Sequence, residues 1–204
     1  MDPAPSRTVV RPTRPDDAAA VAALTAEALA SKYRPAFGRH AARGIEALLR
    51  HDLGEEDTLH WVAEIEGRLA GSVHLMVEDG GGTEHLRAMA AAVGPLASLR
   101  ALLVLSLLGQ GTVKPDEAYI DELAVAPWAR RRGVARALLS RCEEEAVARG
   151  RSRLTLWVTL DNTAALPLYE TAGFRRARTK RWIAGRALFG SPGAAFMERA
   201  LPPG

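Results

Sequence analysis

The stretch from Ala118 to Leu139 constrains the fold of this chain more than any other. Ala118 to Val125 (AYIDELAV) is a β-prone run that Pro127 stops, and Val134 to Arg149 carries Val134, Leu138 and Cys142 along one helical face, with Gly150 placed to end the helix. Between them lie Arg130, Arg131, Arg132, Gly133, Val134 and Ala135. Gly133 and Ala135 keep side-chain bulk away from the turn, so amides at the helix start can approach a ligand, and the helix dipole favours negative charge there. A pyrophosphate fits such a turn. On this motif alone, an ordinary strand-to-helix connection, in which small residues allow tight packing, explains the same residues equally well.

The remaining elements alternate between strands and helices. Thr8 to Arg11 is β-prone, and Pro12, Pro15 and Asp16-Asp17 mark a helix start, where either Asp can cap orphan amides ahead of Val21, Leu24, Ala28 and Leu29. Arg34-Pro35 predicts an end to that helix and a loop over Ser31 to Arg39, followed by a second helix through Ile45, Leu48 and Leu49. Leu59 to Glu78 reads as a β-hairpin around Glu66-Gly67-Arg68. Gly80-Gly81-Gly82 reads as a connector and not a phosphate loop, because no Lys-Ser or Lys-Thr pair follows. It opens an insertion lasting to about Asp116, in which Ala88 to Leu108 is almost wholly apolar. Gly94-Pro95 breaks that run into two helical pieces packed on the body of the protein; Arg100 would be costly in hydrocarbon, and the second piece, Leu96 to Leu108, is too short to cross a bilayer. Arg153 to Leu160 reads as a central strand covered on both faces, Thr163 to Thr171 as a helix with Pro167 in its first turn and Gly173 at its end. Two final β-like runs are Phe174 to Ile183 and Ala195 to Leu201.

At 204 residues with 48% hydrophobic content, one core is expected: a single domain over 8–201, with a helical insertion at 80–117. The net charge of +3 suits an anionic ligand. Arg130, Arg131, Arg132 and Arg136 form one basic cluster; Arg175, Arg176, Arg178, Lys180 and Arg181 form another that reads as a solvated face. Without zinc-finger spacing, aromatic interleaving or a continuous basic helix, nucleic acid is not an expected partner. Cys142 is the single cysteine, so a reducing compartment is the natural home, and the start MDPAPSR lacks the apolar core of a signal peptide; a cytoplasmic location is expected. Gly and Pro at the two ends suggest fraying. The five histidines show no His-x-His or His-Glu-x-x-His spacing, and no metal is implied.

At several separated places the chain resembles the GNAT superfamily of acyl-CoA-dependent N-acyltransferases. That family's turn, Arg or Gln-x-x-Gly-x-Gly or Ala, matches Arg130, Gly133 and Ala135, preceded by Val-x-Pro at Val125 and Pro127. Its later motif matches Asn162, Ala165, Leu168, Tyr169, Glu170, Gly173 and Phe174 at every spacing, and the order of elements agrees. Arg131 stands where the family often has Gly, and the insertion is longer than the usual connection. The resemblance implies an α/β fold with a mixed, mostly antiparallel central sheet, helices on both faces and the helical insertion between strands 3 and 4.

It implies acetyl-CoA as co-substrate, its pyrophosphate on the amides of Arg131 to Arg136 and its pantetheine along the backbone of Leu123, Ala124 and Val125. Arg130 and Asn162 complete the cofactor side; Asn162 either fixes the cofactor or the strand end. The chemical difficulty is the acceptor: a lysine-like amine with pKa about 10.4 is neutral in roughly one molecule in a few thousand at pH 7. Glu122 or Asp121, which point to opposite faces of the strand, is the candidate base, with Glu122 favoured. Tyr169 is the candidate acid for the departing thiolate. Direct transfer to a primary amine of a small molecule is the leading expectation, with a protein or peptide amino group as the alternative and a non-catalytic CoA sensor as a third. Membrane association is not expected, and the sequence leaves a homodimer open.

Overall fold

The computed structural model describes residues 7–54, 58–78, 83–108, 112–182 and 191–202. The glycine run at 80–82 and the chain ends read above as frayed lie outside these residues. Seven strands, β1 (Thr8–Pro12), β2 (His60–Ile65), β3 (Arg68–Met76), β4 (Glu117–Val125), β5 (Arg153–Thr159), β6 (Arg175–Arg181) and β7 (Gly193–Ala200), form a sheet in the order β1-β2-β3-β4-β5-β7-β6. β4 and β5 run parallel, whereas β1/β2, β2/β3, β5/β7 and β6/β7 are antiparallel. The helices are α1 (Ala18–Ala28), α2 (Ala30–Phe37), α3 (Ala41–Asp52), α4 (Thr83–Val93), α5 (Pro95–Leu108), α6 (Val134–Ala148) and α7 (Ala165–Thr171). This is the mixed, mostly antiparallel architecture expected from the sequence, with the insertion forming α4 and α5 on either side of Gly94, whose φ of 87° breaks the helix.

The described residues fall into two compact units that interleave along the chain. The first lies within Met1–His74, Gly81–Leu108 and Glu122–Arg141; the second within Leu75–Gly80, Gly109–Asp121 and Cys142–Gly204. In the first, the insertion helices pack with α2 and α3 around Ala22, Tyr33, Ala36, Phe37, Ile45, Met89 and Ala101. A Cβ on Gly44 would sit 2.7 Å from the Phe37 ring, so α3 can lie this close to Phe37 only without one.

Two local expectations are corrected here. The loop over Ser31 to Arg39 is instead α2 followed by a 3₁₀ turn at Gly38–His40. Proline inside a helix costs about 3 kcal/mol, but Tyr33, Ala36 and Phe37 are buried on this segment, and burying one large apolar side chain contributes about 1.5–3 kcal/mol. The break comes earlier, at Leu29 (φ −111°, ψ 36°). Secondly, Asp17 does not cap α1 with its side chain. Its carboxylate takes two bonds from Arg11 (2.7 and 2.9 Å) and one from the Arg14 amide (2.7 Å), and Arg11 also reaches Glu64. The Arg11 bonds hold the Asp17 carboxyl below its ordinary range.

In the hairpin, Glu66 (φ 54°) and Gly67 (φ 73°) both adopt left-handed backbone, the signature of a two-residue turn matched to strand twist. A register shift between Ala63 and Glu64 leaves Ala70 as an extra residue on β3. In the second unit, β5 buries Leu154, Thr155, Leu156 and Val158, so both faces are covered, as its sequence suggests. β6 is an exposed edge strand rich in basic residues, with the Arg178 guanidinium lying 4.3 Å from the Phe196 ring centroid, and such charge keeps an edge from pairing further.

Candidate active site

The turn after β4 leads into a helix start that is open to solvent. Pro127–Ala129 form a 3₁₀ turn, Arg131 and Gly133 take positive φ (61° and 82°), and α6 begins at Val134. The amide of Ala137 bonds the Gly133 carbonyl at 3.0 Å, which puts Val134, Ala135 and Arg136 in the first turn, where helix amides have no intrahelical acceptor. No heavy atom lies within 4 Å of the place a Cβ would take on Gly133, and Arg130, Arg131, Arg132, Gly133 and Arg136 are exposed. Open space, free-facing amides and positive charge thus meet at one helix start, which fits a pyrophosphate.

A glycine that the sequence reading passed over holds this turn in place. A Cβ on Gly71 would come within 2.8 Å of both the Ala124 carbonyl oxygen and Val134 Cγ1, and next to it the Ala126 amide bonds the Ala70 carbonyl at 2.9 Å. Trp128, equally unremarked, carries the Arg68 guanidinium 4.2 Å from its ring centroid and that of Arg132 at 5.8 Å, so one arginine of the triplet is engaged with an indole face.

Glu122, Leu123 and Val125 are half-buried and Ala124 is buried. Burial pushes the Glu122 carboxyl above its ordinary range, and the ammonium of Lys32 on α2 opposes that rise. Glu122 is therefore a better base than a surface glutamate. The structure assigns Asp121 to the second unit and Glu122 to the first. Tyr169 and Asn162 also belong to the second unit. Tyr169 is buried against Phe174, ring centroids 5.7 Å apart, and burial, aided by Cys142, pushes its phenol well above the usual value, so it stays protonated. Asn162 accepts the Ala165 amide on its side-chain oxygen (3.1 Å) and the Leu166 amide on its carbonyl (3.2 Å), so it fixes the passage from β5 into α7.

A profile described as the acetyltransferase (GNAT) family matches residues 26–174. The chain belongs to that family. Over 66 residues it is 42% identical to the ribosomal protein bS18-alanine N-acetyltransferase of Escherichia coli (strain K12), a stretch covering 32% of this chain and 45% of the relative, so the match spans less than half of that protein. Among solved structures, the ribosomal-protein-S18-alanine N-acetyltransferase from Escherichia coli superposes with a TM-score of 0.61 at 21% identity, covering 97% of this chain and 96% of the other. An N-acetyltransferase from Thermoplasma acidophilum in complex with coenzyme A gives 0.61 at 15% identity, covering 95% and 99%. At such identities these superpositions speak for the GNAT fold.

The first unit also gathers a polar cluster that no sequence spacing announced. Asp52 ends α3, His60 starts β2, His74 lies on β3 and His85 on α4. His85 Nε2 is 2.6 Å from Asp52 Oδ1, while His60 Nε2 is 3.7 Å from Oδ2, beyond hydrogen-bond range. His60 and His74 are cross-strand partners with rings stacked at 3.8 Å. Burial drives the His74 imidazole far below its ordinary value, so it is neutral at pH 7. Burial alone would raise the Asp52 carboxyl, but the surrounding histidines outweigh it and hold it below the usual range. Lys32 acts on both His74 and Glu122, which ties this cluster electrostatically to the candidate base.

Proposed function

We propose that the protein is an acetyl-CoA-dependent N-acetyltransferase whose acceptor is the free amino terminus of a protein or peptide. The observation that carries the acceptor is the 42% identical stretch shared with an enzyme named for the alanine of a ribosomal protein. This replaces the small-molecule amine that the sequence alone favoured.

The chemistry of Glu122 agrees with an α-amino acceptor. An α-amine with pKa about 7.8 is neutral in roughly one molecule in seven at pH 7, against about one in a few thousand for a lysine side chain. The α-amine therefore needs only a modest base, which a carboxylate raised by burial supplies. Acetyl-CoA supplies the acetyl group. The amides of Val134, Ala135 and Arg136 would hold its pyrophosphate beside Gly133, and the backbone of Leu123 to Val125 would align its pantetheine. Glu122 would take the proton of the attacking amine, and Tyr169, protonated across the neutral range, would serve as donor to the departing thiolate. Asn162 positions the start of α7.

One observation favours a small amine instead. α2, which brings Lys32 to Glu122, is packed under α5, with Arg100 Nε donating to the Pro35 carbonyl at 3.0 Å. Such a helical cover suits a compact acceptor. The test is thermal stabilisation by CoA against ATP and NAD, followed by CoA-thiol release over a panel of free peptides, N-blocked peptides and small amines. Fastest release with free peptides is the expected result. Preference for small amines would reverse the acceptor assignment, and CoA binding without release would make the protein a sensor.

A further inference from the structure

We infer that Asp52, His60, His74 and His85 bind a divalent transition-metal ion of the zinc type, a site independent of the acetyl-transfer reading. Asp52, His60 and His74 each bring one ligand atom to within 4.8 Å of the others. His85 Nε2 touches the second carboxylate oxygen, so a fourth donor is already at hand. His51 stands behind it, its ring edge-on to His85 at 4.6 Å, so four of the five histidines, all but His40, belong to the cluster or stand against it.

A hydrogen-bonded Asp–His pair would account for Asp52 and His85 alone. It does not account for His60. That side chain is only 8% exposed, and its Nε2 is buried without a hydrogen-bond partner while facing the Asp52 carboxylate. Leaving a buried nitrogen unpaired is unfavourable, and coordination to a cation shared with Asp52 removes that penalty. Nor does a structural pair require a second, parallel imidazole on the neighbouring strand, which His74 provides at a directly opposed register position. Ligand atoms around a four-coordinate zinc, about 2.0–2.1 Å from the metal, stand roughly 3.3 Å apart, so binding requires small side-chain rotations to close the present spacing of up to 4.8 Å. Two or three imidazoles with one carboxylate suit zinc, cobalt or nickel and disfavour magnesium or calcium, which seek oxygen. His85 and Asp52 remain 28% and 19% exposed, so the ion has a way in.

Such an ion would clamp the end of α3, the β2–β3 hairpin and the first insertion helix within one unit, and its binding energy would add to folding stability. The experiment uses the untagged full chain, stripped with chelator and titrated with Co²⁺, followed by visible d–d absorption and by melting temperature. One saturable equivalent with a tetrahedral spectrum and a raised melting temperature is expected. His60→Ala and His74→Ala should each weaken affinity at least tenfold, while His40→Ala should leave it unchanged. Absence of a saturable equivalent, or an affinity in the His60 and His74 variants equal to that of the unmodified protein, would overturn the assignment. Should either core variant fail to fold by circular dichroism, His85→Gln, at a partly exposed position, gives the same comparison with the same two outcomes.

Discussion

Glu122 and Lys32 pull one proton equilibrium in opposite directions, burial raising the carboxyl and the ammonium lowering it. If Glu122 is the base, Glu122→Gln should abolish the acidic limb of kcat/KM, and Lys32→Met should move that limb to higher pH, because the carboxylate loses the charge that favours it. A limb unmoved by both changes would assign the proton elsewhere. The same residue has a stability consequence. A carboxyl whose folded pKa lies above its unfolded value contributes fully below the unfolded value, and that contribution is lost as pH rises through the folded one. Glu122→Gln should therefore raise the melting temperature more at pH 8 than at pH 4. Tyr169→Phe should lower turnover about 10²-fold with CoA affinity intact, and unchanged turnover between pH 6 and 9 would remove Tyr169 from the reaction. The strand that carries Glu122 was legible in the sequence. Lys32 was not, since it lies ninety residues away on a segment read as loop.

Among the elements, the turn into α6 is where sequence and geometry agree most closely. Arg131, which departs from the glycine usual in the family, sits at φ 61° in the left-handed region. A side chain there costs about 1 kcal/mol relative to glycine, so Arg131→Gly should raise the melting temperature by about 2–4 °C without loss of CoA binding, which on the proposed reading depends on amides. Gly71→Ala should do the reverse: its Cβ would press on the Ala124 carbonyl, costing about 1–3 kcal/mol and weakening CoA affinity together with stability. Full stability in that variant would mean that β3 has freedom the close contact denies. The hairpin shows why the histidine cluster was invisible in sequence. A two-residue turn at Glu66-Gly67 sets His60 opposite Val73; the extra residue Ala70 moves the register by one and brings His74 opposite instead. No spacing rule anticipates a bulge. Pro35 misled for a related reason, since local preference was overruled by burial of Tyr33 and Phe37.

At the scale of the molecule, each of the two compact units draws on segments far apart in the chain, and the family match over residues 26–174 runs through both. The mixed, mostly antiparallel sheet was legible through the resemblance carried by the turn at Arg130 to Ala135 and the motif from Asn162 to Phe174, whereas the strand order and the parallel β4–β5 pair come from long-range pairing that local alternation does not specify. Among the described residues, no helix is long and apolar enough to cross a membrane, as the Gly94-Pro95 break suggested. The acceptor was not readable, because on the proposed reading amine choice rests on the surface presented around Glu122 and not on the motifs proposed to hold CoA.

The most direct test is to give the protein acetyl-CoA and a peptide carrying both a free amino-terminal alanine and an internal lysine, and to locate the acetyl group by tandem mass spectrometry. Acetylation of the α-nitrogen, with one CoA thiol released per acetyl group transferred, is the predicted result. Acetyl found only on the lysine, or a peptide left unmodified while a small amine is acetylated, would contradict it.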